Sequence, residues 1–291
     1  MNFKDEISEN VSCGSHEEEH TGCGGHDEGH THNLETEPNP VCKVFESAAF
    51  QSVSGDTLRP GGIEITEEAI KLCNFPKEAK LLDIGCGKGV SMEFIQNTYG
   101  FDIIGIDQSN EIIKQALSRN PKLNIKRGEA DFLEDFPSFS FDGVLLECVL
   151  SLCKMQEEAL HEVYCVLKKG GKLILSDLYL QKNKNNCCTQ KVDNLDNKEK
   201  NDIGRCCLSG AFEKEKLIKM LEDIGFHIVK WIDKTDVLKG FAAKAIMEFG
   251  SLEAFWNEVL PQDIDKESFI SNTVCNGKPG YFLLIAEKPN R

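Results

Sequence analysis

The feature that most constrains the fold is a run of apolar residues that leads directly into three closely spaced glycines. It spans residues 81–89 and reads LLDIGCGKG. The apolar part fits a buried strand, and the glycines let a ligand approach the backbone and the N-terminus of a following helix. A dinucleotide-binding turn would have its third glycine at position 90, where this chain has Val90. The turn therefore departs from the dinucleotide fingerprint.

Around this turn, β-rich segments alternate with amphipathic helical patterns. A first helix is predicted from Thr66, as its cap, to about Asn74. Strands are predicted at 80–85, 102–107, 124–128, 141–148, 172–178, 226–233 and 281–287, and further helices at 89–98, 110–119, 156–168, 213–224 and near 236–259. The alternation predicts an α/β fold with a doubly wound, mostly parallel seven-stranded sheet.

The chain divides into an N-terminal tail and one domain. Residues 1–40 have almost no large apolar side chains, which predicts a disordered tail, and residues 41–291 form the domain. Within the domain we distinguish a core at 78–180, a polar insertion at 181–205 and a C-terminal part at 206–291. The tail contains a ten-residue tandem repeat of Cys and His, which is interpreted either as a metal-ion site or as a solvated acidic tail.

The net charge and the cysteine content limit the kinds of binding partner that we expect. The net charge is −15, with no basic stripe, so nucleic acid and anionic membranes are poor partners. The longest nearly apolar stretch, 141–152, is shorter than the ~20 residues of a membrane span, and a cytoplasmic location is expected. The thirteen cysteines are odd in number and include adjacent pairs at 187–188 and 206–207, which favours reduced thiols that bind a soft ligand over disulfides.

A carboxylate follows the second predicted strand. Asp107 stands 24 residues beyond Asp83, where it can accept hydrogen bonds from both hydroxyls of a ribose. NAD enzymes share this feature, so Asp107 alone does not identify the ligand.

Taken together, the glycine turn, Asp107, the segment Gly128–Asp131 and the pair Gly170-Gly171 resemble the motifs of class I methyltransferases over residues 78–180. The resemblance implies S-adenosylmethionine as cofactor. It also implies these contacts: Asp83, Gly85 and Gly87 at the methionine part, Asp107 at the ribose, Ala130 and Asp131 at adenine, and Gln108 and Glu147 elsewhere in the cofactor site.

Two cysteine segments resemble those of arsenite methyltransferases. They are ECVLSL at 147–152 and CLSGAF at 207–212. The resemblance implies that thiolates of Cys148 and Cys207 are catalytic and hold a trivalent metalloid, with Cys206 as a neighbouring ligand. The segment RPGGIE at 59–64 is instead similar to an uncharacterised bacterial methyltransferase group, from which no acceptor follows.

Three functions therefore stay open. The first is methyl transfer to a small soft acceptor, either a thiol-bound metalloid or a thiol. The second keeps the cofactor but methylates carbon, oxygen or nitrogen of a small metabolite, as quinone-type methyltransferases do. The third is a metal or metalloid carrier that binds through the N-terminal repeat.

Overall fold

The computed structural model describes residues 40–181, 210–260 and 278–290 of the chain. The N-terminal tail with its Cys/His repeat lies outside the described residues. So do most of the polar insertion and the cysteine pairs at 187–188 and 206–207. No helix in the described ranges is both long and apolar enough to cross a membrane.

One sheet runs through the domain, in the order β3-β2-β1-β4-β5-β8-β7. Its strands are β1 (Lys80–Ile84), β2 (Asp102–Asp107), β3 (Ile125–Arg127), β4 (Phe141–Glu147), β5 (Leu167–Gln181), β7 (His227–Asp233) and β8 (Lys278–Glu287), with the two-residue β6 (Phe212–Glu213) beside β5. Strands β1 to β6 pair in parallel, and β8 lies antiparallel between β5 and β7. The predicted mostly parallel α/β sheet is confirmed.

Helices cover both faces of this sheet, because successive apolar side chains of each strand point to opposite faces and both faces must be buried. The helices are α1 (Pro40–Glu46), α2 (Ala48–Ser54), α3 (Gly62–Cys73), α4 (Val90–Tyr99), α5 (Asn110–Arg119), α6 (Gln156–Val166), α7 (Lys214–Ile224), α8 (Thr235–Phe249) and α9 (Leu252–Val259). Leu82 packs with α6 and α7 on one face, whereas Leu81 packs with α3 and α4 on the other.

Besides the apolar clusters on the two faces of the sheet, a third apolar cluster joins α1 and α2 to α8 and α9. Its buried members are Val44, Phe50, Val53, Leu58, Ile112, Ala245, Phe255, Val259 and Leu260. Helices α1 and α2 are absent from the sequence prediction. Their signal was the recurrence of apolar residues at four-residue spacing, Phe45, Ala49 and Val53.

The predicted start of the first core helix was wrong. Helix α3 begins at Gly62, and Thr66 lies inside it, fully buried, instead of capping it. The Thr66 hydroxyl donates to the Glu147 carboxylate, 3.1 Å away, so a tertiary contact replaces the expected local one.

Candidate active site

The glycine turn lies where the sheet changes direction. Strand β1 pairs with β2 on one side and β4 on the other, which opens a crevice at the carboxyl ends of these strands. Gly85 has φ +68°, and a Cβ at this position would lie 2.2 Å from Val149 Cγ2. Only glycine fits there, and the turn presents bare backbone to the crevice.

Asp107, at the end of β2, joins the glycine turn to the next loop. Its Oδ2 accepts from the Gly87 N–H and its Oδ1 from the Ser109 N–H, both at 2.9 Å. Burial raises the pKa of this carboxyl, while those backbone donors favour the charged form. The carboxylate still has lone pairs for two hydroxyl donors.

The crevice forms a pocket of about 820 Å³, part of it open to solvent. The structure brings seven of the predicted site residues to its wall: Gly85, Gly87, Asp107, Gln108, Ala130, Glu147 and Cys148. Asp83 and Asp131 are not among the lining residues, and Cys206 and Cys207 lie outside the described ranges.

The segment of residues 45–58, which includes helix α2, covers one side of the pocket. Phe45, Thr57 and Leu58 line it. Two polar contacts attach this cover to the site: the Ser109 hydroxyl donates to Glu46 at 2.6 Å, and the Lys88 ammonium contacts Asp56 at 2.9 Å. The cover therefore faces the glycine turn and the loop after β2.

Below the pocket lies a buried polar cluster that the sequence interpretation missed. The Arg59 guanidinium donates to Glu147 Oε2 at 2.8 Å, and Thr66 and Ser91 also donate to the Glu147 carboxylate. Arg59 and Glu147 are 4% and 7% exposed. A buried carboxylate is retained there because each of its oxygens has a donor.

Asp83 has an unpaired oxygen. Its side chain is buried, and Oδ2 has no hydrogen-bond partner among the described residues. Burial raises its pKa well above the usual range, and the nearby Glu147 adds to this, whereas Arg59 opposes it. Asp83 does not line the pocket, so it can act on a ligand there through its charge and not through direct contact. The ammonium and sulfonium of S-adenosylmethionine would favour its ionised form.

Cys148 follows β4 in a left-handed conformation, φ +62°, that is costly for a residue with a side chain. Its Sγ lies 3.3 Å from the Tyr281 hydroxyl, which is also 3.2 Å from the Ser176 hydroxyl. Burial raises the pKa of the Cys148 thiol far above its usual range. Without a ligand the thiol is therefore protonated at neutral pH.

Asp177, in the second half of β5, holds the turn after Cys148. Its Oδ1 accepts from the Ser151 hydroxyl at 2.7 Å, and its Oδ2 from the Ser151 N–H at 2.9 Å. Burial raises its pKa from 3.8 to about 6.

This shift predicts a pH-dependent stability difference between the wild type and Asp177→Asn. The raised pKa means that the folded state binds the proton more tightly, so the contribution is full below pH 3.8 and is lost as pH rises through 6. We expect the unfolding free energy of the wild type, relative to the variant, to fall by about 2 kcal/mol between pH 4 and 7. Urea titrations of both proteins across this range measure it. A constant difference would contradict the expectation.

Comparison with known proteins gives one family match. The methyltransferase domain family matches residues 82–175. Among curated proteins, phosphoethanolamine N-methyltransferase 1 of Zea mays is 29% identical over 132 residues, which are 44% of this chain and 26% of that protein. An O-methyltransferase of Aspergillus nomiae is 32% identical over 133 residues, 43% of this chain and 58% of that one. The chain thus spans only part of these relatives' length.

Solved structures share the fold over a longer part of the chain than the family match covers. Phosphoethanolamine N-methyltransferase 2 of Haemonchus contortus, in complex with S-adenosylmethionine, aligns with a TM-score of 0.63 and 19% identity, over 83% of this chain and 56% of that one. The [4+2]-cyclase SpnF aligns with a TM-score of 0.57 and 18% identity, over 78% and 81%. Residues 82–175 therefore match a methyltransferase domain, within a chain that has the Rossmann-like fold of class I methyltransferases.

Proposed function

We propose that this protein is an S-adenosylmethionine-dependent methyltransferase. The observation that carries the proposal is the pocket between the Gly85 turn and Asp107, at the switch point of the sheet and inside the segment that matches the methyltransferase domain.

When bound, the cofactor supplies a methyl group on a sulfonium. The residues of this chain bind and orient it. Backbone at Gly85 and Gly87 allows close approach, and Asp107 accepts from the ribose hydroxyls. Leu58, Val149 and Leu152 give apolar walls that exclude water from an acceptor. In-line displacement depends mainly on such positioning.

Calorimetry of the full chain with S-adenosylhomocysteine tests the activity class. We expect one binding site, because the pocket lies in a single domain. The carrier alternative makes a different prediction, namely no heat with this nucleoside and metal binding that disappears when residues 1–40 are removed. That pair of results would refute the proposed enzyme.

For the acceptor, we propose a small soft nucleophile, a thiol-bound metalloid or a thiol. Among the described lining residues there is no histidine or lysine, and Glu147 already accepts from Arg59. The lone pair of a trivalent metalloid, or of a thiol that has already lost its proton to water, attacks the methyl carbon and releases S-adenosylhomocysteine without a base at the moment of transfer, which suits such a wall. Cys148 and Cys153 are among the residues that line the pocket.

The sequence interpretation adds Cys207 and Cys206 as partners of Cys148. Both lie outside the described residues. Gly210, three residues after Cys207, packs against the turn that follows Cys148, since a Cβ there would lie 1.9 Å from the Ser151 carbonyl oxygen. Gly210 therefore lies beside the loop of residues 149–152, of which Val149 and Leu152 line the pocket.

Rates with arsenite as acceptor test this proposal. We expect Cys148→Ser and Cys207→Ser each to lower the rate at least about tenfold, about 1.4 kcal/mol in activation free energy. The affinity for S-adenosylhomocysteine should change little, because neither thiol is assigned to the cofactor. Cys165→Ser, in α6 and away from the pocket, is the matched control. Wild-type rates in both variants would remove the soft-acceptor proposal.

The second candidate is methylation of a carbon, oxygen or nitrogen in a small metabolite. It is favoured by the relatives, which include a demethylmenaquinone methyltransferase of Renibacterium salmoninarum, 27% identical over 147 residues. Methylation of a demethylated quinone by the double Cys148→Ser, Cys207→Ser variant would support this candidate over the soft acceptor.

A further inference from the structure

Arg59 follows Leu58, which covers one side of the pocket, and contacts Glu147 at the end of β4. Arg59 itself is not among the residues that line the pocket. Its Nη1 donates to the Gly62 carbonyl at 2.5 Å, at the start of α3. Its Nη2 donates to Glu147 Oε2 at 2.8 Å, and also to Thr66 and Ser91. One buried guanidinium thus joins α3, α4 and the end of β4.

The residue before Arg59 forms part of the pocket. Leu58 lines it and has φ +56°, a costly conformation for a branched side chain. Its Cδ1 lies 3.3 Å from where a Cβ would stand on Gly87. Leu58 therefore faces the glycine turn, and the neighbouring Arg59 is buried through its hydrogen bonds to α3, α4 and β4.

The residue at the other end of the ion pair also forms part of the pocket. Glu147 lines the pocket at the end of β4, directly before the strained Cys148. Both Glu147 oxygens accept hydrogen bonds from the cluster, and Arg59 is the positive charge within it. The positive charge of Arg59 also attracts the negative charges of Asp83 and Glu147 in the same buried region.

We propose that Arg59 is a positioning residue for the cofactor site. It fixes Leu58 on one wall and Glu147 on the other, so that the pocket has its bound shape before the ligand enters. The inference rests on the proposed function, because it names the cofactor pocket as what Arg59 positions.

Stability and affinity separate this role from a purely structural one. Arg59→Met leaves Glu147 buried without its partner and is expected to lower Tm by about 10 °C. The double variant Arg59→Met, Glu147→Gln removes both charges of the Arg59–Glu147 pair and should recover most of that Tm. Its Kd for S-adenosylhomocysteine, measured by calorimetry, should nevertheless stay about 10- to 100-fold above the wild-type value, since small displacements at a site can cost this much.

Arg59→Lys decides whether Arg59 itself is responsible, because Glu147 and the charge both remain. One ammonium cannot replace a planar fork that bonds Gly62 and Glu147 together. We expect a Kd about tenfold above wild type with Tm within a few degrees. The matched control removes the Lys172–Glu287 pair, at the opposite end of the sheet, by Lys172→Met and Glu287→Gln, and should leave Kd unchanged.

The outcomes separate the two proposals. Wild-type affinity in Arg59→Lys and in the stable double variant would overturn the positioning role while leaving the proposed function intact. If the wild type takes up no S-adenosylhomocysteine, the proposed function fails, and this inference fails with it.

Discussion

Replacing Asp107 by alanine is expected to weaken binding of S-adenosylhomocysteine at least about 100-fold. A hydrogen bond to a charged group contributes about 1.5–3 kcal/mol, so losing two ribose contacts amounts to about 3 kcal/mol or more. The change also removes the acceptor for the Gly87 and Ser109 amides and so loosens the glycine turn. Both effects have the same sign. Calorimetry of the wild type and the variant measures the ratio.

A matched control lies on the same strand. Asp102 begins β2, at the opposite end from the pocket, and is exposed. Asp102→Ala should therefore bind the nucleoside as the wild type does. A change of less than threefold in the Asp107 variant would place the ribose elsewhere and would contradict the proposed cofactor contacts.

Gly85→Ala is expected to lower the free energy of unfolding by about 2–5 kcal/mol and to abolish nucleoside binding. The backbone at φ +68° is unfavourable for alanine, and the new methyl group would overlap Val149 Cγ2, 2.2 Å away. Relief requires a movement of the chain beside Cys148 or of the turn itself. Urea unfolding gives the stability, and calorimetry gives the affinity.

Gly100→Ala separates backbone strain from steric overlap. Gly100 has φ +70°, almost the same conformation, yet no atom lies within 4 Å of the position of its Cβ. We expect it to lose only about 1–2 kcal/mol, the cost of the left-handed backbone. Adding Val149→Ala to the Gly85 variant should restore part of the stability. Equal losses in the two glycine variants would show that overlap with Val149 is unimportant.

Most of the sheet was predictable because each strand and helix is specified locally. Strand β2 and helix α5 match the predicted ranges, and helix α7 differs by one residue at its start. Ser109 caps α5 by accepting from the Ile112 N–H at 3.1 Å, a contact within four residues. The start of α3 was wrong because Thr66 bonds to Glu147, 81 residues away, which no local pattern reveals.

The same contrast applies to the candidate site. Gly85, Gly87 and Asp107 were identified from sequence because they follow directly after strands, and parallel strands bring their carboxyl ends to one edge of the sheet. The sequence alone therefore determined the sheet, the glycine turn and the acidic residue beside it. Only the tertiary structure placed Arg59 on Glu147 and Tyr281 on Cys148. These pairs are 88 and 133 residues apart, and burial against a partner so distant depends on how the whole chain packs.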